Sequence, residues 1–440
     1  MQPSRSNWLA LCSIAVIVSV VGLLFCGCSP GPEKKKASAP EAKQSEASSQ
    51  SPAKPEPSTA VAEPAEAKPA EKSAAAGPKP PLGLPPLPIP ADNPMTPEKV
   101  ELGKMLYFDT RMSKDGTVSC ATCHDPKMAW AEHTPTSTGI GHQKGARNSP
   151  TVINAAYATS QFWDGRAKTL EDQAVGPVEN PIEMGHTMTA VVAQLATIPD
   201  YQARFKKVFG TGVTKEGFAK AIAAFERTVL SGDSPYDRFV AGDQSAMNDA
   251  QKRGWETFRD NCATCHTQPL FSNYRFFNAG VGSDKPNADE GRMKVTGKES
   301  DRGKFRVPAL RNVADTAPYF HDGSVAKLED AVALMAVGGK NNPNLSEMLK
   351  SVREANLGAK EQKDLVEFLG ALSGKYPVVE PPECRSKSAL RPLGIAGSTF
   401  RVRPSAMRSL FISFNPKEAA GTRSMPTMML PREVVPRSGV

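Results

Sequence analysis

Cys120-Ala-Thr-Cys123-His124 recurs, residue for residue, as Cys262-Ala-Thr-Cys265-His266, 142 positions further along a chain of 440 residues. Cys-x-x-Cys-His is the attachment signature of c-type haem. Two thiols at that spacing can add to the two vinyl groups of one porphyrin, and the imidazole that follows then lies beneath the iron as its proximal ligand. Paired cysteines also serve in disulfide exchange and in zinc sites. The first expects a βαβ context, for which no pattern is seen here, and the second needs four ligands closed around the metal. Of the eight cysteines, four are in the two pentapeptides, three are in the first 28 residues and one is Cys384.

Around the pentapeptides the periodicity is helical. Phe218, Ala221, Ile222, Phe225 and Val229 fall at i, i+3, i+4, i+7 and i+11, and Leu365, Phe368, Leu369 and Leu372 repeat the pattern. No alternating strand pattern is sustained. Long Gly/Pro/Asn-rich loops, 135–150 and 279–303, separate the helices, and loops of that length are usually functional. Gly103-x3-Tyr107 precedes the first pentapeptide and Gly254-x3-Phe258 the second, a weak internal duplication. These features predict an all-α chain with two cytochrome c-like haem domains, 95–241 and 242–376. Haem then supplies much of each apolar core, consistent with only 39% hydrophobic residues.

The ends read differently. Residues 1–28 carry Arg5, an apolar run over 8–25 and then Cys26-Gly27-Cys28, which resembles a lipoprotein export signal with Cys28 as the acylated residue. A plain signal peptide or an uncleaved anchor helix are the other readings. Residues 29–94 hold 16 of the 39 prolines and are expected to be a disordered tether. Residues 377–440 are expected to be a basic tail without fixed structure or assigned function, Cys384 included. Ten Lys and Arg against three Asp and Glu in 381–440 account for +7 of the net charge of +8, which leaves the remainder near neutral. The charge therefore marks no nucleic-acid-binding face. The location expected is periplasmic, tethered to a membrane through Cys28.

The sixth iron ligand decides between electron transfer and activation of an oxidant. Candidates for the second haem are Met293, Met335 and Met348. Candidates near the first are Met128, His133, His142 and Met184. His142 sits in a glycine-flanked loop, and position alone leaves it open between ligand and surface residue. His133 and His186 read as non-ligands. Glu183 could be an acid/base group or a carboxylate near a helix start, and Trp163 reads as a core residue.

Three stretches are more specific. They are 141–152 (Gly-His-Gln-Lys-Gly-Ala-Arg-Asn-Ser-Pro-Thr-Val), 161–167 with Gln173 and 180–184, and 305–313 with 316–323. Together with both pentapeptides they resemble the bacterial di-haem cytochrome c peroxidases over roughly 95–376. The resemblance implies two covalent haem c groups and a calcium ion. It makes the haem on Cys120, Cys123 and His124 the low-potential, peroxidatic one, with His142 as a releasable iron ligand and Gln173 and Glu183 as the distal pair. Trp163 would lie between the haems. The haem on Cys262, Cys265 and His266, with Met335 as axial ligand, would be the high-potential entry point. Asn148, Thr316 and Pro318 would hold calcium. His321 is given no role. The implied reaction is reduction of hydrogen peroxide to water with electrons from a small cytochrome c or a cupredoxin, and a homodimer is a common assembly in the family. Two other readings keep the haems. One is an oxidase of a partner protein's tryptophan, which would carry a tyrosine in place of Met335. The other is a non-catalytic electron carrier with two six-coordinate haems.

Overall fold

A computed structural model of the chain describes residues 77–382. The segments expected to be the export signal and most of the tether and tail lie outside the described residues. Among the described residues no helix is long and apolar enough to cross a membrane.

The helices are α1 Pro97–Phe108, α2 Cys120–Cys123, α3 Leu170–Glu179, α4 Met188–Leu195, α5 Pro199–Phe209 and α6 Lys215–Glu226, followed by α7 Pro235–Val240, α8 Asp249–Asn261, α9 Met293–Thr296, α10 Leu328–Ala336, α11 Leu349–Glu354 and α12 Ala359–Gly370. Among the described residues only two short strands pair, β1 Phe276–Phe277 with β2 Phe305–Arg306, antiparallel. The all-α expectation stands. Helix starts are set by short polar side chains that accept the first free backbone N–H groups. Thr96 accepts from Lys99 N, Thr214 from Gly217 N, and Asn248 exchanges bonds with Gln251.

Two cores form. In the first, Leu102, Leu106 and Tyr107 of α1 meet Phe218, Ile222 and Phe225 of α6. In the second, Phe258 of α8 meets Leu365, Phe368 and Leu369 of α12. The duplicated glycines make these crossings close. A Cβ on Gly103 would overlap the Ala221 carbonyl and the Phe225 Cβ, and one on Gly254 would overlap the Asp364 carbonyl and the Phe368 Cβ. Mid-helix glycine costs about 1 kcal/mol against alanine, and in both units it stands where α1 or α8 crosses backbone to backbone.

Tyr236 of α7 packs in the second core, so by packing that core begins ahead of residue 242. Two expectations for the flanks need correction. Residues 77–94, assigned to the disordered tether, run as a packed strap: Leu82 O accepts from Asp233 N (2.8 Å), Gly83 O from Arg311 Nη2 (3.0 Å) and Pro85 O from the Tyr157 hydroxyl (2.9 Å). Prolines have little backbone freedom to lose, and the carbonyls they leave free are matched by donors from both units. Residues 377–382, assigned to the unstructured tail, are also placed. Pro377 O accepts from Trp130 Nε1 (2.9 Å) and Val379 packs on the first core.

The units are joined by buried polar contacts. Arg311 and Asp237 form a bidentate pair at 2.8 Å, both almost fully enclosed. Ser231 Oγ donates to Asn312 Oδ1 (2.6 Å), and Asn154 Nδ2 to Ser231 O (2.9 Å). Gly103→Ala and Gly254→Ala should each destabilise the holoprotein by about 1–3 kcal/mol through overpacking, read as a loss in a denaturant or thermal melt. A variant with unchanged stability would mean that the crossing relaxes freely.

Candidate active site

The two pentapeptides lie at helix ends. Cys120–Cys123 is a single turn, α2, closed by Ser119 N donating to Thr122 Oγ1 (3.0 Å). Cys262 caps α8, and His266 N donates to Cys262 O (3.0 Å), so the second pentapeptide continues that turn. Positions i and i+3 of a turn share a face, which turns each pair of thiols the same way. None of these four cysteines is in a disulfide. Burial pushes Cys123 and Cys262 up to about 12, and raises Cys120 and Cys265 as well. A disulfide-exchange site needs the opposite, a stabilised thiolate. Among the described residues no group of three or more His, Cys, Asp or Glu converges as a zinc site requires.

Both histidines are pushed toward the neutral form by burial, His266 down to about 4 and His124 in the same direction. His266 Nδ1 donates to Phe271 O (3.0 Å). That bond fixes the tautomer and leaves Nε2 with its lone pair for a metal. His124 Nδ1 is enclosed and makes no hydrogen bond of ordinary geometry, although the Trp130 and Pro150 backbones counter the effect of burial.

Against the first pentapeptide lies a cavity of about 680 Å³, within the range for cofactor sites. Cys120, Cys123 and His124 line it from the first unit, and Tyr274 and Arg306 from the second. His124 Nδ1, Glu226 Oε2 and the Tyr274 hydroxyl are buried polar atoms without a partner, and all three residues line this cavity. Burial raises Glu226 to about 8. A cavity with apolar walls, two thiols, a neutral imidazole and unpaired polar atoms fits a covalently attached haem.

Gln173 and Glu183 both line the cavity. Asn180 Nδ2 donates to Glu183 Oε1 (2.7 Å) and orients the carboxyl. Burial raises the pKa of Glu183, partly offset by Arg166 and by that bond. Trp163 lines the same cavity. Its Nε1 donates to Asn148 O (2.9 Å) within the first unit, and its backbone carbonyl accepts from Arg306 N of the second (2.8 Å). His142 is placed elsewhere. It is exposed, at positive φ on the short turn Ile140–His142, and does not line the cavity. Met335 lies half-buried in α10. Asn148 N donates to His321 O (2.8 Å), which ties Asn148 to the segment that carries Thr316 and Pro318. His321 is buried and stacks on Phe305 at 3.6 Å, and burial lowers it to about 4. His133 is exposed and bonds to Met128 O, while His186 Nδ1 accepts from Thr187 N.

The comparisons with known proteins agree with this geometry. The di-haem cytochrome c peroxidase family matches residues 97–245, and the cytochrome c family matches residues 251–373. Cytochrome c551 peroxidase of Pseudomonas aeruginosa is 42% identical over 298 residues, 66% of this chain and 82% of that protein. The chain belongs to the di-haem cytochrome c peroxidase family. It carries two haem c groups and is a peroxidase, reducing hydrogen peroxide with electrons from a donor. The methylamine utilization protein MauG of Methylorubrum extorquens is 37% identical over 303 residues, 68% of this chain and 84% of that protein. Among solved structures, a MauG-like protein associated with microbial copper homeostasis superposes with a TM-score of 0.59 at 31% identity, over 67% of this chain and 95% of that one.

Within this peroxidase a second repeat escaped the sequence reading. Gln161-Phe-Trp-Asp-Gly165 and Tyr319-Phe-His-Asp-Gly323 form the same bend. Gln161 bridges Ala167, Tyr319 bridges Val325, and Phe162 and Phe320 have φ of 65° and 66°. The register continues through Leu170-Glu-Asp and Leu328-Glu-Asp, which open α3 and α10. In that register Met335 corresponds to Pro177, which lines the cavity. A methionine can reach an iron through its sulfur, and proline has no ligating atom. Cys120→Ala combined with Cys123→Ala should lower the covalently bound haem from two to one per chain by haemochrome absorbance and intact mass. Retention of two would remove the first pentapeptide as an attachment site.

Proposed function

We propose that peroxide is reduced in the cavity lined by His124, Gln173 and Glu183, and that electrons enter at the haem held by Cys262, Cys265 and His266. The observation that carries this reading is the Glu183 carboxyl, oriented by Asn180 and raised by burial, in a cavity where Pro177 stands at the position of Met335. Haem held by His124 would supply the redox chemistry of O–O cleavage.

The chain's own residues handle the protons. Glu183, ionised, accepts the proton of the near peroxide oxygen and returns it to the far oxygen, which leaves as water. Gln173 offers an amide donor and acceptor to hold the peroxide. Two electrons and two protons balance reduction of one peroxide to two waters. Trp163, in the wall of the first cavity, would be the relay between the haems, and Met335 would offer its sulfur to the iron of the haem held by His266. A methionine there supports a peroxidase over an oxidase of a partner's tryptophan. His142, exposed on the turn Ile140–His142, would serve as a releasable ligand to the first iron only after its loop moves inward. Asn148, Thr316 and Pro318 supply hard oxygen donors for calcium. Asn148 Nδ2 donates to Thr134 O (3.0 Å), which leaves its carbonyl oxygen for a cation. The donor is a small exported cytochrome c or cupredoxin, and the enzyme works in the periplasm, anchored through Cys28.

Turnover of peroxide with ferrocytochrome c should appear after reduction of the high-potential haem alone and be small in the fully oxidised enzyme. Equal turnover in both states would remove His142 as a gate. Glu183→Gln should lower kcat by about 10²–10⁴-fold. Because Glu183 must be ionised to take the proton, wild-type kcat/KM for peroxide should fall as pH drops through its raised pKa. That acid limb should lie above the pH of an ordinary exposed glutamate and disappear in Glu183→Gln. An unchanged limb in the variant would place the acid/base group elsewhere.

A further inference from the structure

The first cavity has a cationic end built by both units, and one of its cations lacks a counter-charge. Arg147 pairs with Asp164 (2.7 Å) and Asp289 (2.6 Å), and Arg166 pairs with Asp164 (3.1 Å) and lies over the Phe162 ring at 3.4 Å. Arg306 has no carboxylate within ion-pair distance among the described residues. Its Nε donates to Phe162 O at 3.3 Å, and its guanidinium lies 5.5 Å from the Tyr274 ring centre. Tyr274 also lines the cavity and is 8% exposed, and its hydroxyl has no hydrogen-bond partner among the described residues.

Arg306 is half-buried; a cation partly withdrawn from water without an anion is costly, and so is an enclosed hydroxyl with nothing to bond. Both costs fall on adjacent groups that line one cavity. A single carboxylate placed there would answer both, accepting from the guanidinium and from the phenol. Haem carries just such groups on its edge, the two propionates.

We propose that Arg306 and Tyr274, both from the second unit, clamp a propionate of the haem attached at Cys120 and Cys123. The first haem site is then composite, closed by residues that follow the second pentapeptide. The clamp is tied to both sides of the interface. Arg306 N donates to Trp163 O (2.8 Å), and Asn273, next to Tyr274, donates its N–H to Cys265 O (2.8 Å). This rests on haem binding in the first cavity. Arg306 and Tyr274 are positioning residues that set the charge at the haem edge and touch no reacting atom.

The test uses the full-length holoenzyme and the variants Arg306→Gln, Arg306→Lys and Tyr274→Phe. Haem content by intact mass comes first: a wild-type chain without haem on Cys120 and Cys123 would sink the underlying assignment, whatever the variants do. With two haems present, spectroelectrochemical titration reads the two midpoint potentials separately. Loss of a cation at the haem edge favours the ferric state. Arg306→Gln should therefore lower the potential of the low-potential haem and leave the other unmoved, with a smaller shift in the same direction for Tyr274→Phe and near-wild-type behaviour for Arg306→Lys. The resonance Raman propionate bending band of that haem should shift in Arg306→Gln. A shift confined to the high-potential haem, or no shift in either potential or band, overturns the proposal. If Arg306→Gln fails to mature, the near-isosteric Tyr274→Phe decides it by the same readings.

Discussion

A histidine ring enclosed by protein keeps its neutral form, and a neutral ring with one nitrogen fixed has one lone pair to offer. Burial acts on both histidines, and in the second unit a hydrogen bond also fixes the ring. His266 is held by the Phe271 carbonyl and displaced to about 4 by burial. To hold the ring there, Phe271 adopts a left-handed backbone conformation and packs into the core with Phe258 and Phe368. Phe258 in turn sits one turn beyond Gly254, where α8 meets α12 at backbone contact. The sequence Gly-x3-aromatic, then Cys-x-x-Cys-His, is thus one mechanical unit: helix crossing, core ring, attachment turn and ligand. Tyr107 plays the part of Phe258 in the first unit, and its hydroxyl donates to His124 O (3.0 Å).

Equivalent scaffolds then diverge where chemistry demands it. The bends at 161–167 and 319–325 have the same backbone, yet one presents Trp163 to the first cavity and the other buries His321 against Phe305. The helices that follow hold Pro177 and Met335 in register. On the reading proposed above, Met335 offers a sulfur to the second iron where Pro177, at the matching position, offers the first none, a single difference along a repeated helix. Gln173 and Glu183 flank Pro177 in sequence, so one short segment brings all three to the cavity wall.

Much of this was legible in the chain. The pentapeptides, the apolar stripes of α6 and α12 and the paired glycines are local patterns, and local patterns survive in sequence. The second repeat was harder for an identifiable reason. The pentapeptides are 142 residues apart, whereas the bends and helices are 158 apart, because the second unit carries a longer loop between them. One register does not reveal the other. The strap 77–94 was misread because composition measures how little apolar surface a segment can bury, not how many of its carbonyls will meet donors such as Arg311 and Tyr157. Arg306 and Tyr274 gave no signal at all, since their significance is a missing partner, which is a property of three-dimensional arrangement.

The loop that carries His142 is bonded to Glu183, the proposed acid/base group. Its loop is pinned at one end by Ile140 N donating to Glu183 O (2.9 Å), while Gly139 and Gly145 close the turn through bonds to Gln143 and Ser137. Glu183 therefore meets the loop through its backbone and the cavity through its side chain. A movement that carried His142 inward would have to keep or break the Ile140 bond. Keeping it would draw the Glu183 backbone along, and breaking it would release that segment from the loop. If it breaks, Glu183 still donates its N–H to Asn180 O and accepts from Asn180 Nδ2, and the carboxyl can stay where it is. On the reading proposed above, movement of His142 and the setting of Glu183 are therefore coupled only as far as the Ile140 bond survives the movement.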